Sequence, residues 1–301
     1  MTGAPGFWRN PPERPGALAW ALLPFARLAK VRQPALPELP LGVPLISLGQ
    51  AAAFPGDLVT PAAVAVLHRL QARGAAPEVL TLACRAPPPL LGDIAPLRAT
   101  AHGARGPLLL PGVLTAGAGG GGARLAILLV AATTGFGNGL PLPAGPLRAP
   151  LEPMLAQSGL LILSGTALAR RAFLRRWQGT ALPPVQEATL GPLATGMAWS
   201  GLRAIVIARG DARPIAAALT GEGAEVLRAV ALDQRGRVSA ALCARLVAEA
   251  RRERAQLVAG EAEAAALPPG FRSQVLTLPM RLTAADWSPL DAALRLIGAI
   301  P

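Results

Sequence analysis

The chain has 301 residues, 52% of them hydrophobic and 15% charged, with a formal net charge of +12 and a pI of about 11.6. That length supports two modest domains with cores of their own, and the charge favours an anionic partner: nucleic acid, phosphorylated lipid or an acidic membrane surface. Two cysteines, Cys84 and Cys243, far apart and without CxxC spacing, exclude a zinc framework or a disulfide scaffold and fit a reducing compartment.

In chain order, the first segment mixes Trp8, Trp20, Leu22, Leu23, Phe25 and Leu28 with Arg9, Arg14, Arg27, Lys30 and Arg32. This pattern suits a helix lying in a bilayer interface, apolar side down and cations toward lipid phosphates. It suits equally a helix packed on its own domain. Pro24 interrupts the apolar run Ala17 to Ala26 and no small-residue cleavage site follows, so the layout is not that of a cleaved signal peptide. Lys30 is the only lysine, and the accompanying bias toward Arg, Ala, Pro and Gly is compositional, so arginine richness carries no weight as evidence for nucleic acid.

A Pro-rich connector, Pro34 to Pro44, leads into a short apolar run, Leu45 to Leu48, then a loop, Gly49 to Pro61, and a helix, Ala62 to Arg73, that ends at Gly74. A second apolar run, Val79 to Ala83, follows at βαβ spacing, which predicts a parallel sheet with its ligand-facing edge at the strand C-termini. Further strands are predicted at Leu125 to Ala131 and Leu160 to Leu163. The longest uncharged stretch, Leu125 to Leu147, contains Gly135, Gly137, Gly139, Pro141, Pro143 and Pro146. A spanning helix of about 20 apolar residues cannot run through those positions, so a buried strand and a loop are expected instead.

From Gly201 the pattern restarts with a strand, Ala204 to Ala208, a helix, Pro214 to Gly221, and a strand, Val226 to Ala231. A long helix, Ser239 to Arg254, and strands at Gln256 to Ala259 and Val275 to Leu278 complete it. The organisation expected is an N-terminal amphipathic segment (1–33), an α/β core domain (34–200) and a smaller α/β domain (201–301).

The most specific string is Gly135-Phe136-Gly137-Asn138-Gly139, followed at once by Leu142-Pro143-Ala144-Gly145-Pro146-Leu147-Arg148 and Pro150. Here a Gly-rich turn leaves a buried strand and enters a rigid loop carrying one arginine, an arrangement suited to holding an anion with backbone N–H groups and a cation. The string resembles that of the tetraacyldisaccharide 4'-kinase (lipid A 4'-kinase) family, in which a strand leads into GFGNG or GLGNG and then PAGPLREP; only the Glu of that element is replaced, by Ala149. Gly6-Phe7-Trp8, Pro44 to Gly49, Leu70 to Gly74, Pro77 to Leu80, Ala212-Arg213-Pro214 and Gly223 to Val226 resemble further segments of the family in the same order.

The resemblance implies a P-loop-kinase-like parallel sheet flanked by helices, with a second, smaller α/β domain. It implies ATP and Mg²⁺ as cofactors and a lipid A precursor as partner at the cytoplasmic face of the inner membrane, with Trp8, Trp20, Phe25, Arg27 and Lys30 in the membrane-associating segment. A protein partner, such as an active kinase, is left open. The family's phosphate loop reads close to GGTGKTP. The matching Pro55 to Pro61 keeps Gly56, Thr60 and Pro61 but has Val59 in place of the lysine, and Asp57 would repel phosphate there.

The family's acidic DDG string is matched by Leu110 to Thr115, and no carboxylate occurs between Gly103 and Leu151, so no metal ligand is expected. Gly92-Asp93 resembles the start of the family's GDE motif, which makes Asp93 the candidate general base, although Ile94 replaces the Glu. Asp233-Gln234-Arg235 stands where the family has its His-rich motif, and Gly260 to Glu263 is all that resembles its TEKD string. His68 and His102 have no Asp, Ser or Cys at a suggestive spacing and read as surface or packed residues.

The candidate residues are thus Asp93, the nucleotide-loop remnant Gly56, Asp57 and Thr60, and an anion loop of Gly135, Phe136, Gly137, Asn138, Gly139 and Arg148. The expectation is a family member that is catalytically impaired or inactive; the alternative is a working, divergent kinase with Asp93 as base. Nucleic-acid binding is set aside, because aromatic residues are only 4% and no binding module is recognisable.

Overall fold

The computed structural model describes residues 5–28, 40, 42–53, 57–81, 89–115, 123–209, 212–232 and 238–301. They form two compact units, one holding residues 5–53, 57–190 and 282–301, the other Gly191–Arg281.

In the larger unit a 3-10 turn (Gly6–Arg9) precedes α1 (Ala17–Leu28), β1 (Leu45–Gln50), α2 (Val59–Ala72), β2 (Glu78–Leu80), α3 (Pro89–Ile94) and β3 (Leu97–Arg98). Then come β4 (Leu108–Pro111), β5 (Arg124–Ala131), α4 (Leu151–Ala156), β6 (Leu160–Ser164), α5 (Ala167–Arg176) and β7 (Val185–Pro192). The smaller unit runs through β8 (Arg203–Arg209), α6 (Arg213–Gly221), β9 (Glu225–Leu232), α7 (Ala240–Arg252), β10 (Gln256–Gly260), α8 (Glu261–Ala265), α9 (Pro269–Arg272) and β11 (Val275–Leu278). The chain returns to the larger unit through β12 (Met280–Thr283) and ends in α10 (Ser288–Leu296).

The main sheet has the order β12-β7-β6-β5-β1-β4-β2-β3, and the ladders from β7 to β3 are parallel. Strands covered on both faces need apolar side chains on both, which is why β1, β5 and β6 read as nearly unbroken apolar runs. Successive side chains point to opposite faces. Ile46, Leu48, Ile127, Leu129 and Ile162 pack against Val64, Leu67 and Leu70 of α2. Leu128, Val130, Leu161 and Leu163 pack on the other face against Phe136, Phe173 and Trp177.

Residues 282–301, which the sequence reading gives to the smaller domain, instead join the larger unit. Leu290 and Leu294 of α10 enter the α2-side core. The buried Asp291 receives Arg69 Nε and Nη2 at 2.6 and 2.5 Å, and Arg73 Nη2 as well. The Arg69 hydrogen bonds, opposed by burial and helped by Arg73, hold the Asp291 carboxyl below the usual carboxylate range. The smaller unit is a four-stranded sheet, β11-β10-β8-β9, in which β10 and β8 are central and their apolar residues buried. Ser239 caps α7 by accepting from Leu242 N at 3.2 Å.

Candidate functional site

Two loops leave neighbouring strands at the C-terminal edge of the main sheet, where open parallel sheets place their ligand sites. One follows β1 and enters α2; the other follows β5. They are zipped together by Ala53 N to Pro146 O at 2.8 Å and Arg148 N to Ala51 O at 3.0 Å.

At the β1 exit, α2 begins at Val59, earlier than the Ala62 expected from sequence. Pro61 fits the first turn because its missing N–H has no partner to lose there. Asp57 closes that turn. Its Oδ1 accepts from Val59 N at 2.8 Å and Thr60 N at 3.3 Å, and its Oδ2 accepts from Thr60 Oγ1 at 2.5 Å. Gln50 Oε1 takes Leu58 N at 3.3 Å. First-turn amides and a Ser or Thr hydroxyl are the groups with which a helix N-terminus holds a phosphate and its magnesium. Here a carboxylate of the chain itself engages both amides and the hydroxyl. Gly56 lies outside the described residues.

Arg148 comes from the other loop. Its guanidinium makes no hydrogen bond or ion pair among the described residues. It is open to solvent, yet flanked by enough protein for desolvation to draw its pKa below the ordinary arginine value, which the negative charge of Asp57 partly offsets. The structure thus brings Asp57, Thr60 and Arg148 to one place.

In the glycine string, four glycine amides are engaged within their own loop. Gly135 N, Gly137 N, Gly139 N and Gly145 N bond to Ala131 O, Thr134 O, Phe136 O and Pro141 O, respectively. Gly135 and Gly137 have φ of 56° and 60°, a region that favours glycine, and a Cβ on Gly137 would overlap Pro146 and the Trp8 carbonyl. Phe136 is fully buried, edge-on to Phe173 and Trp177 with centroids 5.3 and 5.0 Å away. Asn138, only 1% exposed, donates Nδ2 to Ala144 O at 3.0 Å and to Phe7 O at 3.4 Å, and accepts Leu140 N on Oδ1 at 3.2 Å. The string is therefore a packed socket, and the N-terminal turn occupies it. Trp8 is 7% exposed and donates Nε1 to Pro143 O at 3.2 Å. Arg176 Nη2 reaches the carbonyls of Asn10 and Gly137, each at 2.9 Å.

Trp8, expected on a membrane-facing surface, is turned inward by that seat. Leu18, Trp20 and Phe25 are 55%, 59% and 61% exposed on α1, and α1 continues through Pro24. Arg27 falls in α1; Lys30 lies outside the described residues. No described helix is long and apolar enough to cross a membrane.

Asp93 stands apart from the loops. It is exposed on α3, and the neighbouring Ile94 O accepts Gln71 Nε2 at 2.8 Å, near the C-terminus of α2. Gln71 lies twelve residue steps beyond Val59 along α2, so about 18 Å of helix axis separates that end from the entrance beside Asp57. Val79 N bonds Pro96 O, which puts this stretch at the N-terminal edge of the sheet. His68 and His102 are exposed. Within the arginine cluster, Arg170 pairs with Glu187 at 2.8 Å while Arg171 and Arg175 face solvent. Sequence reasoning missed the capping role of Asp57, although an Asp just before a helix start is a readable cap signal.

A mostly parallel α/β sheet flanked by helices, whose β1 exit opens a helix, accompanied by a smaller α/β unit, defines the fold class. The fold is similar to the crystal structure of LpxK from Aquifex aeolicus in complex with ATP, with a TM-score of 0.55 at 13% identity over 93% of this chain and 99% of that one. The family model for tetraacyldisaccharide-1-P 4'-kinase matches residues 123–297. The tetraacyldisaccharide 4'-kinase of Dinoroseobacter shibae is 36% identical, the alignment covering 96% of each chain, and that of a Jannaschia species 32%, covering 96% of this chain and 97% of the relative. The chain belongs to the tetraacyldisaccharide 4'-kinase (lipid A 4'-kinase) family.

Proposed function

We propose that this chain keeps the lipid-binding framework of its family but does not transfer phosphate. The observation that carries this reading is the Asp57 carboxylate on the first turn of α2, accepting Val59 N, Thr60 N and the Thr60 hydroxyl. A magnesium nucleotide needs those same groups and a nearby lysine, and Val59 stands at the lysine position. Two anions cannot share the site, and the described residues offer no cluster of carboxylates or histidines for a metal. The residues present therefore do not fit a magnesium nucleotide, and no catalytic step is assigned through one.

In this reading the ligand is a lipid A precursor at the cytoplasmic face of the inner membrane, with the exposed Leu18, Trp20 and Phe25 of α1 entering the bilayer interface. Arg148, which has no partner among the described residues, meets a phosphate of the lipid. Incubating the full chain with ATP, Mg²⁺ and tetraacyldisaccharide 1-phosphate should give no 4'-phosphorylated product under conditions where the Dinoroseobacter shibae relative does.

A second reading, a working kinase with Asp93 as general base, draws on the names of relatives aligned along nearly the whole chain. It requires product formation that is abolished by Asp93→Ala. The position of Asp93 at the opposite edge of the sheet from Asp57 weighs against it.

A further inference from the structure

The N-terminal turn and the Arg148 loop share one set of contacts. Trp8 donates to Pro143 O, and Asn138 holds Phe7 O and Ala144 O with a single amide group. Leu142 N to Leu147 O at 2.9 Å and Leu147 N to Leu140 O at 3.1 Å close the same loop, and Arg148 N then fastens it to Ala51 O. Arg176 grips the turn and the string from the other side through Asn10 O and Gly137 O. The seat is exclusive, because Gly137 has room for the Trp8 carbonyl only while it lacks a side chain. Past Asn10 the same segment runs into α1 with its exposed Trp20 and Phe25.

We propose that Trp8 is a positioning residue for Arg148: the N-terminal turn, plugged into the glycine socket, fixes the loop from which Arg148 meets a lipid phosphomonoester. The inference rests on the reading of Arg148 as the contact for a lipid phosphate. It adds that the apolar helix and the phosphate contact are one body, so that seating α1 in a lipid surface presets the height and aim of the Arg148 guanidinium. An arginine on a freely moving loop loses part of its contact to ordering, and the Trp8 plug removes that loss.

The test is a double-mutant cycle on the full chain, measuring binding to phosphatidylcholine vesicles with and without phosphatidic acid and taking the ratio of the two affinities as readout. That ratio cancels any direct contribution of Trp8 to apolar insertion. Arg148→Gln is expected to lower the preference for phosphatidic acid about tenfold, the loss of one charge-assisted contact. Trp8→Ala should lower it comparably in the wild-type background but less than about twofold in the Arg148→Gln background, because the two residues act through one contact. If Trp8→Ala does not fold, Trp8→Phe, which keeps the ring and loses the N–H, replaces it in the same cycle with a smaller loss of the same non-additive form.

Additive losses would overturn the proposal while leaving the Arg148 reading intact. An Arg148→Gln variant with undiminished preference would remove that reading and the proposal with it. Abolition of the preference by micromolar glycerol 3-phosphate would place the ligand in solution rather than on a lipid, and would overturn the proposal as well.

Discussion

The exits of β1 and β5 leave adjacent parallel strands at the same edge of the same sheet, yet they solve opposite problems. After β5, the four glycine amides at 135, 137, 139 and 145 turn inward and the loop closes around Phe136, Asn138 and the incoming Trp8. After β1, the helix entrance is shaped like a phosphate site but is satisfied by the chain's own Asp57. The difference teaches that the string most similar to the family is held by packing demands. At the entrance of α2 the first-turn amides and the Thr60 hydroxyl are engaged by one carboxylate, that of Asp57.

The comparison breaks most visibly if the β5 exit is not a packed socket. Phe136→Ala should cost about 3–5 kcal/mol of stability in urea denaturation, as expected for removing a fully buried aromatic ring. A loss under about 1 kcal/mol would mean that the string is a surface loop after all.

The far end of α2 gives the next largest effect. Asp291→Asn should cost about 2–3 kcal/mol, since charge-assisted bonds to Arg69 and Arg73 are weakened while both arginines keep some access to water. The same carboxyl sets a pH dependence. Its folded-state pKa is depressed, so its stabilisation is complete above the unfolded value of about 3.9 and disappears as pH falls through the folded value. In Asp291→Asn, acid titration monitored by circular dichroism should lack that component.

Asp57→Ala sharpens the contrast directly. It should lower stability by only about 1 kcal/mol, the ordinary worth of a helix cap, as read from the urea midpoint. The smallest effect belongs to Asp93→Ala, expected within about 0.5 kcal/mol of wild type and without consequence for binding, because the residue is exposed and lacks a partner among the described residues.

Much of this was legible in the residues. The unbroken apolar runs at Leu45 and Leu125 announced covered parallel strands, and the Gly and Pro positions after Ala131 ruled out a membrane span. An amphipathic segment was readable in the apolar and basic residues of 1–33, though not the bounds of its helix. Three things were not legible. The return of α10 to the larger unit depends on Asp291 finding Arg69 and Arg73, a contact more than two hundred residues away in sequence. The inward turn of Trp8 depends on the Pro143 carbonyl, which no local pattern announces. The helix entrance at Asp57 was readable as a charge near a phosphate loop, but whether that charge repels a ligand or caps the helix is decided by backbone geometry.

The most direct test of the central claim is a calorimetric titration of the full chain with ATP and Mg²⁺. The closed helix entrance predicts no binding heat up to millimolar nucleotide. Micromolar binding by the unaltered chain would contradict it, because the amides and hydroxyl held by Asp57 would then have to be available to phosphate.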